Sequence, residues 1–459
     1  VFIRRVHIDV IGTLPAPVRV AEFLGDETED KRAKLIEEVL AREEYADLWT
    51  LKWCDLLRVK AEFPINLWPN GVQAYRRWIF EAIKANRPVD AFVRDLLTSS
   101  GSNFRVAPVN FYRAVQDRSP RGLAKAVALT FMGSRYERWP KSKQDGMAAF
   151  FSRVAYKKTA EWKEEIIIPD PAPRPPLTAT FPDGTKVTVA PNADPRRVFA
   201  DWLLDRKNPV LARNLANRVW SWLMGRGVVH EPDDLRDDNP PVNAALLVAL
   251  ERALIAADYD IKALFRLILN SRTYQGSPIP QSKDPQAEAL FAHYALRRLD
   301  AEVLIDALCR LDGRGENYLS QVPEPFTILR GLTRTVRLAD GSITSPFLEM
   351  FGRPSRDTGL ESERNNEPTD AQRLYLLNSS DVHGRLVRSR WLRRLVQRYG
   401  RKHTTLARYL YLTLLSRQPM PLELGIAVQH IRANAKKPHE PAVDVAWALI
   451  NTKEFLYRH

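Results

Sequence analysis

The sequence predicts a mainly α-helical protein with two helical domains and a small β-hairpin/proline-rich connector between them. Apolar residues recur at helical spacing through both long arms of the chain, and only the middle alternates as a β-strand does. Prolines cluster in the same middle segment. A chain of 459 residues has room for two or three domains. We expect helical domains at residues 1–163 and 194–459, with the connector at residues 164–193.

Two features of the N-terminal arm indicate helices. Tyr45, Trp49 and Trp53 recur at intervals of four residues, which places them on one apolar face. Ser119 followed by Pro120 is typical of a helix start, because serine caps the first turn and proline suits its first position. An apolar helix face needs a partner surface, so we expect these helices to share a core.

The connector has the composition of extended chain. Residues 169–176 include five prolines, which excludes a helix there. Residues 178–181 and 185–189 alternate in polarity and flank Asp183 and Gly184. An Asp-Gly pair between two alternating runs is typical of a tight hairpin turn. We therefore predict a β-hairpin at this point of the chain.

The charge of the chain suggests an anionic partner such as nucleic acid, anionic lipid or an acidic polymer, although a solvated basic surface is the interpretation that we favour. The 69 Lys and Arg exceed the 55 Asp and Glu by 69 − 55, which gives a formal charge of +14. The densest basic stretch, residues 385–402, is predicted to be an amphipathic helix with a basic outer face. No nucleic-acid-binding signature accompanies it, so nucleic acid is disfavoured as a partner, and an anionic polysaccharide stays one of the candidates.

Several classes of protein are excluded by composition and motif. Two cysteines, Cys54 and Cys309, are too few for a disulfide scaffold, a cysteine-rich zinc site or a Cys-x-x-Cys-His haem attachment. We therefore expect no cofactor in this chain and no metal site. No window of about 18 apolar residues is present, so no membrane-spanning segment is predicted. The phosphate-binding loop, the dinucleotide fingerprint and the hydrolase nucleophile elbow are also missing.

A crowded polar loop near residue 360 is the first candidate site. Its carboxylates, Glu361, Glu363 and Glu367, could act as an acid/base pair or as ligands of a hard metal ion. Its arginines are candidates for binding a ligand, and they are Arg353, Arg356 and Arg364. The other interpretation, which we favour, is an Arg–Glu network that fixes an irregular loop onto the core.

A second polar cluster follows an apolar helix in the C-terminal arm. Its candidate ligand-binding residues are Asn217, Arg218, Asp233 and Asp234. The two aspartates could bind a cation, although adjacent side chains usually face different ways. We therefore regard a structural role as the stronger expectation for this cluster.

Several motifs occur in the order found in a known pair of domains. Residues 2–15 and 45–57 resemble the planctomycete cytochrome-associated domain of unknown function called PSCyt-two. Later segments resemble its partner domain PSD-one, and they are residues 217–220, 225–227, 233–236, 269–274, 351–354 and 367–369. The resemblance implies an exported protein, periplasmic or at the cell surface, that works beside a cytochrome-c-like module. The chain opens at Val1, so we expect a fragment or a processed form.

The resemblance also marks two departures. Many relatives carry a haem-attachment motif near residues 132–135, where this chain has neither cysteine nor histidine, so covalent haem is excluded there. Relatives also carry cysteines near positions 360 and 362, which are Leu360 and Ser362 here.

Three functions stay open from the sequence. The first is a binding, scaffold or partner-docking module associated with a cytochrome-c-like system, and we favour it. The second is an extracellular enzyme that acts on polysaccharide with carboxylates of the loop at residues 361–367. The third is binding of an anionic polymer through residues 385–402. Whether the chain is an enzyme is left undecided.

Overall fold

A computed structural model of the chain describes residues 1–319, 328–329, 334–434 and 437–459. The fold is 55% helical and 6% strand, which confirms the predicted mainly α class. The helices before residue 150 are α1 (Phe2–Ile11), α2 (Pro17–Gly25), α3 (Lys31–Ala41), α4 (Glu43–Leu56), α5 (Trp68–Lys84), α6 (Val89–Thr98), α7 (Asn110–Arg113), α8 (Pro120–Met132) and α9 (Lys141–Ala148).

Thirteen further helices follow the connector in the described part of the chain. They are α10 (Pro195–Leu203), α11 (Val210–Met224), α12 (Ala244–Ala256), α13 (Ile261–Leu269), α14 (Ala301–Asp312), α15 (Pro346–Met350), α16 (Asp370–Asn378), α17 (Ser380–Arg388), α18 (Arg390–Tyr399), α19 (His403–Leu414), α20 (Pro421–Ala433), α21 (His439–Ile450) and α22 (Lys453–Leu456). None of the helices in these described ranges has the length and apolar character needed to cross a bilayer.

The strands are short and all pair antiparallel. Three form a small sheet in the order β1 (Gly101–Ser102), β3 (Glu165–Pro169), β2 (Val154–Lys158). The other pairs are β4 (Leu177–Thr180) with β5 (Lys186–Val189), β6 (Arg297–Arg298) with β9 (Tyr457–Arg458), and β7 (Tyr318–Leu319) with β8 (Ile328–Leu329).

The predicted hairpin is confirmed as β4 and β5. Thr178 pairs with Thr188 across it, and Gly184 occupies the turn with a φ of 92°, where a side chain would be strained. The connector also packs closely on its neighbours, since the ring of Phe181 stacks on Phe150 at 4.8 Å and on Trp202 at 5.2 Å. The hairpin is therefore part of the body of the protein.

Helix α8 begins as the sequence predicts. The Ser119 hydroxyl accepts a hydrogen bond from the Gly122 backbone N–H at 3.1 Å, and Pro120 takes the first helical position. The prediction of one amphipathic helix through the basic stretch, residues 385–402, is wrong. The chain breaks at Ser389, whose side chain caps α18 by accepting from the Leu392 N–H at 3.0 Å.

The N-terminal helix packs against the end of the chain. The Arg4 guanidinium donates to the carbonyl oxygens of Leu414 and Phe455, at 2.7 and 2.8 Å. Arg5 donates to the His459 carbonyl at 3.1 Å. All ten residues of α1 are buried. The predicted division into domains at residues 1–163, 164–193 and 194–459 stays a prediction.

Candidate functional site

The arginines of the polar loop turn inward and form a buried ion-pair network. Arg364 reaches two carboxylates, with Nη2 at 2.6 Å from Asp55 Oδ2 and Nη1 at 2.7 Å from Glu302 Oε2. Arg356 Nε lies 2.8 Å from Asp55 Oδ1, and Arg353 Nε lies 3.4 Å from Glu302 Oε1. We call these five residues the arginine network. It fixes the loop between α15 and α16 onto α4 and α14.

The network keeps its carboxylates ionised. Burial by itself would raise the pKa of Asp55, but the charges of Arg364 and Arg356 outweigh it and hold that pKa below its usual value. The pKa of Glu302 is also held below its usual value, because the charges of Arg364 and Arg353 outweigh the effect of burial. Removing one member would therefore leave an uncompensated buried charge, which is strongly destabilising.

A second set of buried charges continues the network toward the chain end. Asp300 Oδ2 lies 2.8 Å from Arg458 and 3.1 Å from Lys52. Arg458 also lies 3.3 Å from Asp9, whose other oxygen accepts hydrogen bonds from two tyrosine hydroxyls. The sequence contains no local signal for these residues, because the partners lie far apart in the chain.

The three candidate glutamates occupy three different environments. Glu361 accepts a hydrogen bond from Trp222 Nε1 at 3.0 Å and lies 3.6 Å from Arg218 Nη1. Glu363 accepts from the backbone N–H of Thr358 at 2.6 Å and from its hydroxyl. Glu367 is exposed. Within the described residues, no hydrogen bond or ion pair joins these three side chains.

The second polar cluster meets the loop through one aspartate. Asp233 Oδ1 lies 2.7 Å from Arg218 Nη2, and its Oδ2 accepts from the Glu361 backbone N–H at 2.6 Å. Arg218 and Asp233 are both fully buried and form a close ion pair, and the more exposed Glu361 is a second, more distant counter-charge for Arg218. The cluster therefore joins α11 to the loop.

The other two members of that cluster serve local structure. The Asn217 side chain exchanges two hydrogen bonds with the Val229 backbone, at 3.0 and 2.8 Å. Asp234 faces away from Asp233 and pairs with Arg138 at 2.8 Å and Arg236 at 2.7 Å. Across the ranges that the structure describes, no three His, Cys, Asp or Glu side chains are placed to hold a metal ion.

The basic stretch forms a separate surface on α18. Arg390, Arg393, Arg394 and Arg398 are exposed and follow helical spacing, so they share one side of the helix. We call them the basic face. Arg385, which was predicted to belong to it, is instead buried and pairs with Asp381 at 3.1 Å, Asp312 at 3.5 Å and Glu316. The sequence alone places Arg385 on the basic face because residues 385–402 are predicted to form one helix.

The fold and these contacts define a mainly helical protein whose two sequence arms are joined by buried ion pairs. A family model described as Protein of unknown function (DUF1549), PSCyt2, matches residues 1–135. Another, described as Protein of unknown function (DUF1553), PSD1, matches residues 195–431, which is more than half of the chain. The chain belongs to the DUF1553 family, and the order of the two domains is the one expected from the sequence. No curated protein and no solved structure matches it.

Proposed function

We propose that the chain is an exported docking module that binds an acidic polysaccharide through the basic face. The four arginines carry the proposal, because they are exposed and make no ion pair with any carboxylate of the described residues. Many of the other arginines are paired, including every arginine of the polar loop. The basic face is therefore a cluster of cations whose counter-charge has to come from outside.

The spacing of the basic face suits an extended polyanion. From Arg390 to Arg398 the helix rises about 12 Å, since each residue adds about 1.5 Å. Neighbouring arginines at intervals of three and four residues repel one another, and each such pair costs a few tenths of a kcal/mol. A bound chain of carboxylates or sulfates removes that repulsion and releases its own counterions.

Polysaccharide is preferred to nucleic acid because, within the described residues, no fully exposed aromatic side chain lies among the arginines of the basic face. Trp391, on the same helix, is only partly exposed. The exposed residues of that helix within the described ranges are arginines and Gln397. The nearby aromatic rings of Tyr399 and Tyr409 stack on each other at 4.8 Å, and both are only partly exposed. Proteins that bind single-stranded nucleic acid normally combine a basic groove with aromatic side chains that accept the bases.

The proposal is tested by retention of the full chain on polygalacturonate and heparin. We expect retention that weakens steeply as salt rises from 50 to 200 mM, which is how polyanion binding behaves. The double variant Arg394→Glu/Arg398→Glu lowers the formal charge from +14 to +10. This variant should lose most of the retention. The matched control is Arg252→Glu/Arg272→Glu, which changes two exposed arginines elsewhere by the same amount.

The control decides between a specific surface and bulk charge. Equal loss of retention in both double variants would mean that net charge alone is responsible, and the basic face would then have no special role. Tighter binding to single-stranded DNA than to polygalacturonate at the same salt would favour nucleic acid instead. Retention that does not respond to salt would contradict electrostatic binding altogether.

The enzyme interpretation is not proposed. A glycosidase of the usual kind needs two carboxylates facing each other across the scissile bond, whereas Glu361, Glu363 and Glu367 have separate partners and exposures. Association with a cytochrome-c-like module and export stay proposals that rest on the family resemblance. Copurification of the full chain with such a module from the source cells would support the first.

A further inference from the structure

A cleft of about 300 Å³ lies beside the polar loop, away from the basic face. One wall is the side of α8 that carries Ala126 and Leu129, and the opposite wall is formed by Thr358 and Leu360. Val115 adds a further apolar surface. The cleft is therefore large enough for a small organic molecule, and much of its lining is apolar.

Arg58 contributes to this lining, and its side chain is 96% buried. Its guanidinium donates to three backbone carbonyl oxygens, those of Ala114, Thr358 and Leu56. Its remaining nitrogen, Nη2, has no acceptor among the described residues. A buried donor without an acceptor costs free energy, so a fold seldom leaves a guanidinium in this condition.

Arg58 is also the one cation of this lining without a carboxylate partner in the described part of the chain. Lys125 lies 3.7 Å from Glu137, and Arg135 lies 3.2 Å from Glu231. Burial lowers the pKa of Arg58 to about 10, so the guanidinium is still charged at neutral pH. The nearest partners of this charge are thus carbonyl dipoles, while the Phe111 ring lies 5.9 Å away and the more remote charge of Glu363 acts to raise the pKa of Arg58.

The backbone holds Arg58 in this place under strain. Its φ is 57°, in the left-handed region that side chains other than glycine rarely adopt. Gly359 presses against it, since a Cβ there would lie 2.7 Å from Arg58 Nη1 and 2.7 Å from the Leu56 carbonyl. Nine other non-glycine residues of the described ranges also have a positive φ, so this strain shows that the surrounding contacts hold Arg58 firmly in place.

We propose that the cleft binds a small organic carboxylate, with its anionic end on Arg58 and its apolar body between α8 and Leu360. Three carboxylates also line the cleft: Glu137 and Asp357 are paired with Lys125 and Lys60, and Asp117 is exposed to solvent and accepts from the Ser119 N–H. The buried charge of Arg58 suits a monoanion, and the apolar walls suit a hydrocarbon or aromatic body. The inference goes beyond docking of a polysaccharide and does not depend on it. Because Nη2 is shielded from solvent, the carboxylate reaches it when the exposed Thr358, whose carbonyl accepts from Nη1 at 3.2 Å, moves aside.

The test uses benzoate and its neutral counterpart benzamide on the full chain. We expect benzoate to raise the melting temperature in a saturable way, to titrate at one site by calorimetry, and to change amide hydrogen exchange at residues 357–360. Benzamide should bind at least about tenfold more weakly than benzoate, because a hydrogen bond between charged groups contributes enough binding free energy for that difference. Inorganic phosphate should not displace benzoate, because a dianion lacks a second free cation.

Two variants complete the test. Arg58→Met removes the charge, and Ala126→Phe fills the cleft without touching Arg58; each should weaken benzoate at least about tenfold. Ala172→Phe, at an exposed position of the connector, is the control and should bind as the parent does. Where Arg58→Met does not fold, Ala126→Phe and the benzamide comparison still decide. Equal binding of benzoate and benzamide, displacement by phosphate, no binding, or unchanged binding in Ala126→Phe would each overturn the proposal.

Discussion

Arg364 and Asp55 form an ion pair of 2.6 Å although 309 residues separate them in the chain. Arg364 belongs to the polar loop, and Asp55 lies in α4 of the N-terminal arm. Arg356 reaches the same carboxylate from the same loop, at 2.8 Å. The loop is therefore fixed to a distant helix through a single aspartate, which makes that aspartate the first target for mutation.

Replacing Asp55 by asparagine should destabilise the protein strongly. Asp55→Asn keeps the volume but leaves Arg356 without its carboxylate partner and Arg364 with Glu302 and the more distant Asp300 alone. We expect the free energy of unfolding to fall by about 3 kcal/mol, as is usual when one partner of a buried pair is lost. Urea unfolding followed by circular dichroism measures it.

The control for this variant is an exposed ion pair. Asp238 lies 3.0 Å from Arg236, and its side chain is 74% exposed. Asp238→Asn should cost less than about 1 kcal/mol, because exposed pairs are weak. Equal effects of the two substitutions would show that the arginine network adds nothing beyond surface electrostatics.

The second prediction concerns acid and His7. Burial lowers the pKa of His7 to about 4, and its Nδ1 is 2.9 Å from the Ile3 carbonyl. An unfolded histidine has a pKa near 6.5, so the unfolded state takes up the proton first as pH falls. The protein should therefore lose roughly 2 kcal/mol between pH 7 and pH 5 through this residue. In His7→Leu the free energy of unfolding should change less between pH 7 and pH 5 than in the parent protein. Urea unfolding at several pH values measures this change.

His459 provides an internal check on the second prediction. Burial also lowers its pKa to about 4, so the His7→Leu variant should keep some sensitivity to acid over the same range. A variant that lacks both histidines should lose most of this acid sensitivity. It should keep a residual pH dependence, because burial also lowers the pKa of His230 and raises the pKa of Asp306 to about 6. A parent protein that is already flat over this range would show that the two histidines are not buried in neutral form.

The third prediction concerns the break between α17 and α18. The Ser389 hydroxyl donates to the Leu311 carbonyl and accepts from the Leu392 N–H, so it joins α14 to the start of α18. Ser389→Ala removes both bonds and should cost about 1 to 2 kcal/mol in urea unfolding. Ser152→Ala removes one exposed hydroxyl and should cost much less. A cost below about 0.5 kcal/mol for Ser389→Ala would mean that the cap is unimportant.

The fourth prediction links stability to the proposed function. Arg394→Glu replaces two repulsive pairs on α18, with Arg390 and with Arg398, by two attractive ones. We expect the protein to become more stable by about 0.5 to 1 kcal/mol at low salt, and the gain to shrink in 1 M NaCl. Retention on polygalacturonate should fall in the same variant. A loss of stability would show that Arg394 has a structural partner.

Regular elements were predictable because their signals are local. Ser119 with Pro120 marks the start of α8, and Asp183 with Gly184 marks the hairpin turn; both are where the sequence places them. The break at Ser389 was missed because a serine is tolerated inside a helix. Only the position of the Leu311 carbonyl, which tertiary packing decides, makes it a cap.

The sequence predicts which residue types form the polar sites, but it does not predict which residues pair with one another. The loop contains the arginines of a buried network, as the favoured interpretation has it, but its acidic partners are Asp55 and Glu302 rather than the neighbouring glutamates. Arg58 gave no signal, since neither a left-handed backbone nor a missing acceptor can be read from residue order. Such features arise only when segments far apart in sequence meet.

The contacts of α1 have a consequence for synthesis on the ribosome. Arg4 needs an acceptor that is 410 residues downstream, and Arg5 needs acceptors that are 269, 271 and 454 residues downstream. At 5 to 20 residues per second, translation takes roughly 20 to 80 seconds to supply the acceptor of Arg4. Throughout that time α1 can pack on α3 and α4, which are made soon after it, but Arg4 lacks the carbonyl groups that it bonds in the finished fold. The hydrogen bonds of α1 are therefore completed only after the acceptors near residues 414–459 have been synthesised.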